Sequence, residues 1–248
     1  MEYFSSFIDA QWALAAVAVL LAGVVRGFSG FGAGLILVPS LGVLYGPVEA
    51  VVSVMLLELI PTAQMLPRAL KHCHWPSAAP MLLMATLTIP LGSFVLVVMD
   101  EHLVRGLIAV VVLLGCAWLA SGRRLVSATV STRSGPLLTG GLSGLLSGAV
   151  GLGGLPVVMY YLSGTHRAQA TRSSIIVILL ASVLVSLITF LLHGIVSEQI
   201  VMRCLTLAPL LLFATWLGGC IFGRVSEQLF RRLLLILLSM VGLVTLAI

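Results

Sequence analysis

VVRGFSGFGAGLILVP (24–39) and LLSGAVGLGGLPVVMYY (145–161) are the two stretches whose reading decides how this chain folds. Gly23, Gly27, Gly30 and Gly32 are spaced G-x3-G-x2-G-x-G, and Gly144, Gly148, Gly151 and Gly153 repeat that spacing 121 positions later. Each glycine weakens a helix by about 1 kcal/mol relative to alanine. Runs this dense therefore mark backbone that bends, or that something approaches closely. Two such runs at a fixed offset mark a duplicated element. In a membrane protein, glycine-interrupted segments at corresponding places in two halves point to a transport site.

The rest of the chain puts these runs in a bilayer. Of 248 residues, 60% are hydrophobic and 8% are charged. Soluble domains carry about 25% charged residues, so this composition does not cover a solvated surface. Charges are absent between Arg26 and Glu49, between Arg133 and Arg167, and between Arg172 and Glu198. Apolar runs of about 20 residues cross a bilayer as helices. The net charge of +5 then reads as a topology signal, not as a nucleic-acid surface. The four cysteines are scattered without CxxC spacing, which supports neither disulfides nor a thiolate metal site. The first segment lacks the basic start and cleavage site of a signal peptide and is expected to be retained.

Ten apolar segments can be marked: about 11–26, 30–45, 48–67, 77–98 and 104–121, then 136–149, 152–163, 173–193, 203–222 and 230–248. The polar stretch GRRLVSATVSTRSG (122–135) separates them as a cytoplasmic linker between a first repeat, 1–121, and a second, 136–248. Five elements per half reverse the second half relative to the first, giving an all-α polytopic protein of two inverted repeats. Segments 30–45 and 152–163 are short for full spans at 1.5 Å rise per residue. They read as glycine-broken hairpins near the midplane, and eight or ten crossings both fit. With both termini outside, 11 of the 13 basic residues fall on inner segments, Arg105 and Arg203 being the exceptions. That is the bias of cytoplasmic loops.

A helix starting just after either glycine turn aims unpaired N–H groups, and the positive end of its dipole, at the turn. Two such starts meeting near the midplane suit a small oxyanion. The competing reading is close helix packing of the small-xxx-small type, which Gly140, Gly144 and Gly148 also fit. Arg26 stands one residue before the first turn, where it either neutralises a bound anion or snorkels at a cytoplasmic end. Its counterpart in the second half is Ser147. Glu58 is the one acid deep in an apolar segment; it carries a coupling proton, pairs with Arg26, or supports structure elsewhere. Thr62 and Gln64 on the same segment add hydrogen-bonding groups.

Ser173 and Ser174 open the eighth element and read as caps more than as ligands. His72-Cys73-His74 is spaced poorly for a helical metal site, since helical ligands lie three or four apart. No nucleophile elbow, phosphate-binding loop, zinc-protease motif or carboxylate pair occurs. GFSGFGAG lacks the strand–helix surroundings of a dinucleotide site.

The two stretches resemble the paired signatures of the TauE/SafE family, the sulfite exporter-like membrane transporters, and the resemblance covers essentially the whole chain. Its signature positions here are Gly27, Gly30, Gly32, Gly34 and Pro39, then Gly148, Gly151, Gly153, Gly154 and Pro156. The family's usual run of three glycines is interrupted by Ala33 and shortened by Leu155. The resemblance implies secondary transport of a small sulfur-containing anion, sulfite or an organosulfonate, by export or passage across the cell membrane, with export expected.

Together these readings place substrate on Arg26, Gly27, Phe28, Ser29, Gly30, Phe31 and Gly32, and on Gly148, Val150, Gly151, Leu152, Gly153 and Gly154, with Glu58 as the coupling residue. The expected protein is no enzyme and needs no metal or cofactor. Its partners are a small anion and the lipid of the inner cell membrane, and no nucleic acid. A homo-oligomer stays open, as does a passive anion channel.

Overall fold

The computed structural model describes residues 10–29, 32–121, 134–163 and 168–221. They form nine helices and, among the described residues, no strand. In chain order these are α1 (Ala10–Ser29), α2 (Ala33–Tyr45), α3 (Pro47–His72), α4 (Trp75–Val98) and α5 (Glu101–Ser121) in the first half. The second half has α6 (Gly135–Val150), α7 (Gly154–Ser163), α8 (Ala168–Leu192) and α9 (Glu198–Ile221). The expected tenth segment, 230–248, and most of the expected linker lie outside the described residues. Gly135, assigned to that linker, is the first residue of α6, with Pro136 in its first turn, where a missing N–H is harmless.

Five of the helices, α3, α4, α5, α8 and α9, have the length and apolarity to cross a membrane, and the protein is an all-α polytopic membrane protein. The apolar stretches of α3 and α8 are 50% and 61% buried, against 33% for α4 and 28% for α9. The first two helices therefore make the centre, and α4 and α9 face lipid. Leu83, Leu87 and Leu91, four apart on α4, are all exposed and form one lipid-facing stripe.

Around the α3–α8 centre, α6 packs on α4 and α1 packs on α9. These two crossings use equivalent residues. A Cβ on Gly144 would meet Ala85 and Thr88, and one on Gly148 would overlap Ile89, Gly92 and Ser93. A Cβ on Gly23 would meet Leu211 and Ala214, and one on Gly27 would overlap Thr215, Gly218 and Gly219. Gly92 faces Leu145 in the first crossing as Gly218 faces Val24 in the second. Without side chains at these points the backbones approach closely enough for dispersion to hold the helices together in lipid.

The remaining glycines break the chain. Gly32 has φ +93° and Gly151 φ +70°, left-handed backbone that glycine adopts without penalty. Beyond them α2 and α7 start afresh, as short helices of 13 and 10 residues. Of the eight repeated glycines, Gly23, Gly27, Gly144 and Gly148 are thus contact points, while Gly32 and Gly151 break the helices.

Polar contacts gather at the two ends. At one, Arg203 of α9 reaches Glu49 of α3 at 2.8 Å and lies over the Tyr45 ring of α2. At the other, the Ser77 hydroxyl of α4 lies 2.8 Å from the Tyr161 hydroxyl of α7, and the Ser174 hydroxyl of α8 accepts the His74 N–H.

Candidate functional site

Arg26 lies in the last turn of α1 and is 5% exposed. It does not snorkel. Its Nη1 is 3.1 Å from Glu58 Oε1, and its Nη2 donates to Thr62 Oγ1 at 2.5 Å. The Thr62 hydroxyl in turn donates to the Glu58 carbonyl at 2.6 Å, one turn back on α3. Pro61 beside it has no N–H, so the α3 ladder is already one bond short here. The guanidinium is held from two directions by one helix. An unpaired charge would be expensive at this depth, and pairing removes most of that penalty. Because Arg26 is buried, it does not count toward a charge bias of the loops.

The ion pair faces a cavity of about 60 Å³. A water needs about 10–15 Å³ of such space, so the cavity has room for a small cluster of heavy atoms. Its lining comes from both halves. Arg26, Gly32, Gly34, Met55 and Glu58 come from the first, and Ser147, Gly151, Leu152, Gly153, Gly154, Leu179, Ser182 and Val183 from the second. The repeat relates the walls: Ser147 corresponds to Arg26, Leu179 to Glu58, and Val183 to Thr62. Charge is therefore confined to one wall of a site whose shape is built by both. The first turns of α2 and α7 open on this cavity. Leu35 and Leu155 donate to the Gly32 and Leu152 carbonyls and Pro156 has no N–H, so the leading donors are those of Ala33, Gly34 and Gly154. The Ser143 hydroxyl donates to the Gly153 carbonyl at 2.6 Å and holds the second break in place.

Of the residues expected to contact substrate, Arg26, Gly32, Gly151, Leu152, Gly153 and Gly154 line the cavity, as does Glu58. Gly27 and Gly148 do not; they sit in the α1–α9 and α4–α6 crossings, where neighbouring backbone occupies the space a ligand would need. Val150 is fully buried in the core. Phe28 and Ser29 end α1, and Gly30 and Phe31 lie outside the described residues. Ser174 is no cap of its own helix: α8 starts at Ala168, six residues earlier, so its hydroxyl serves α4 instead. His74 Nδ1 lies 2.8 Å from Ser77 Oγ, and burial pushes the neighbouring Cys73 thiol up, partly offset by its hydrogen bond with Ser174. Among the described residues, no three of His, Cys, Asp and Glu stand close enough to hold a metal ion.

One polar cavity residue was missed in the sequence, along with apolar lining such as Met55, Val158, Leu179 and Val183. Ser182 is 4% exposed, lines the cavity, and its hydroxyl has no partner among the described residues. The available signal was Ser182 and Ser186, four apart in the apolar run IIVILLASVLVSLITF (175–190). The second of these is engaged, its hydroxyl 3.2 Å from that of Ser147.

A family model described as "Sulfite exporter TauE/SafE" matches residues 15–245, nearly the whole chain. No curated protein and no solved structure matches it.

Proposed function

The chain belongs to the sulfite exporter TauE/SafE family and is a multi-pass membrane transporter; from that premise we propose that it carries one small sulfur oxyanion, sulfite or an organosulfonate, through this cavity. The observation that supports the reading is the buried Arg26 facing a cavity onto which two helix N-termini open. The guanidinium supplies a fixed positive charge and several N–H donors, and guanidinium suits oxyanions with coplanar acceptor pairs. The N–H groups of Ala33 and Gly34 on α2 and of Gly154 on α7 add donors from either side. The Ser182 hydroxyl faces the same cavity and donates to a bound oxygen.

The motion that goes with this site is alternating access of two inverted repeats about the hinges at Gly32 and Gly151, driven by ion gradients. The proposed direction is export across the inner cell membrane, with both termini outside.

Proteoliposome flux of sulfite, taurine and sulfoacetate tests the proposal. It expects saturable flux of at least one of them, abolished in Arg26→Gln. Non-saturating conductance points to a channel instead, and flux unchanged in folded Arg26→Gln removes the site.

A further inference from the structure

We infer, resting on the anion site just proposed, that substrate and Glu58 compete for Arg26, so that each anion bound brings one proton onto the Glu58 carboxylate. The empty site is electrically balanced, with Arg26 and Glu58 at 3.1 Å and the second arm of the guanidinium on Thr62. An anion that enters the cavity and engages Arg26 leaves two negative charges on one positive charge. Beyond the partial charges of the two helix starts, the described walls offer no second full positive charge to balance the excess. At the positions equivalent to Glu58 and Thr62, the second half presents Leu179 and Val183.

The other charged and titratable groups of the packed elements are engaged or distant. On α3 itself, Glu49 is held by Arg203 of α9, about 13 Å along the axis from Glu58 at 1.5 Å per residue. Arg68, Lys71 and His72 lie at least ten residues toward its other end. The α9 Cys204 thiol donates to the Ser53 carbonyl, the Glu101–Arg105 pair of α5 is internal to that helix, and His74 at the start of α4 lies against Ser77. On α2 the one titratable side chain is Tyr45, under Arg203 at the far end. α8 turns Ser182 and apolar side chains to the cavity, and its one charge, Arg172, is exposed near its start.

A buried carboxylate stripped of its counter-ion is neutralised by taking a proton. That proton comes from solvent, bonds to a carboxylate oxygen of Glu58, and leaves when the anion leaves and Arg26 returns. A monovalent anion then travels with one proton, without net charge, so membrane potential does not act on the cycle. Export runs down the anion's own outward gradient, against any inward proton gradient. The Thr62 hydroxyl, already bonded to both the guanidinium and the Glu58 carbonyl, keeps Arg26 in place during the exchange.

Calorimetry of ethanesulfonate binding to the full chain in nanodiscs, in two buffers of different ionisation enthalpy, counts the protons. Ethanesulfonate stays ionised across the accessible pH range, so any proton taken up belongs to the protein. One proton per anion is expected, with affinity falling up to tenfold per unit rise in pH, the slope a single linked proton gives. In Glu58→Gln, proton uptake disappears, the pH dependence flattens, and binding is at least as tight as in the wild type. Arg26-dependent binding with no proton uptake overturns this inference and leaves the anion site standing. Binding unaffected by Arg26→Gln, or no binding at all, removes both. The wild-type proton count decides the matter even where Glu58→Gln does not fold.

Discussion

Replacing Arg26 and Glu58, singly and together, probes the charged wall of the cavity by its energetics alone. Arg26→Gln leaves a carboxylate in an apolar enclosure with only the cavity beside it, and Glu58→Gln leaves the guanidinium with Thr62. Breaking one partner of a buried pair costs 3–5 kcal/mol. Side-chain exposures of 6% and 14%, with Glu58 open to the cavity, put each single substitution near the lower end, at about 3 kcal/mol. Additive effects would then make the double variant about 6 kcal/mol less stable. Removing both charges together leaves neither uncompensated, so the double variant is expected no worse than the worse single one. The coupling is then about 3 kcal/mol, at the upper end for residues in contact. Unfolding of the detergent-solubilised protein, by heat or by denaturing surfactant, reads all four corners of the cycle. A double variant as unstable as the sum of the two singles refutes the pairing.

Three further outcomes follow from the same geometry. Gly27→Ala and Gly148→Ala force backbone apart at the two crossings and destabilise by about 1–3 kcal/mol, whereas Gly106→Ala, with open space around it, is neutral or gains up to about 1 kcal/mol; equal melting of all three contradicts the crossings. Gly151→Ala places a side chain at φ +70° with Val51 Cγ1 at 3.3 Å, and Gly194→Ala does so at φ +69° in open space. Both lose about 1–2 kcal/mol to the left-handed backbone, and Gly151→Ala melts lower by its extra contact. Ser182→Ala removes a hydroxyl that faces the cavity, so it changes stability by no more than about 0.5 kcal/mol while weakening sulfite binding; a loss of both stability and binding assigns Ser182 to structure.

Much of the fold was legible because lipid leaves few choices. The apolar runs from 77, 104 and 203 correspond to α4, α5 and α9, with starts a few residues early. The errors have local causes. α3 continues past Pro67 to His72, because a proline inside a membrane helix is tolerated where neighbours satisfy the freed backbone group. α8 starts at Ala168 instead of 173 because its first turns, AQATR, are too polar for hydropathy to register.

The site was legible in its charges and not in its hydroxyls. Arg26 and Glu58 are isolated in apolar sequence, and isolated charges at depth must find each other. Ser182 gave no such signal, because whether a serine faces a cavity, a carbonyl or lipid depends on the packing angle of its helix. The glycine repeat pointed to the cavity but overstated how many of its residues line it. The same residue type serves a helix crossing at Gly27 and Gly148 and a helix break at Gly32 and Gly151, and spacing alone does not separate the two uses.

Selenite has the shape and charge of sulfite and scatters anomalously, so a crystal structure of the protein soaked in it asks directly where the anion sits. The account predicts an anomalous peak within hydrogen-bonding distance of the Arg26 guanidinium and the Ser182 hydroxyl, between the starts of α2 and α7. A peak elsewhere, or an empty cavity in protein that transports selenite, contradicts it.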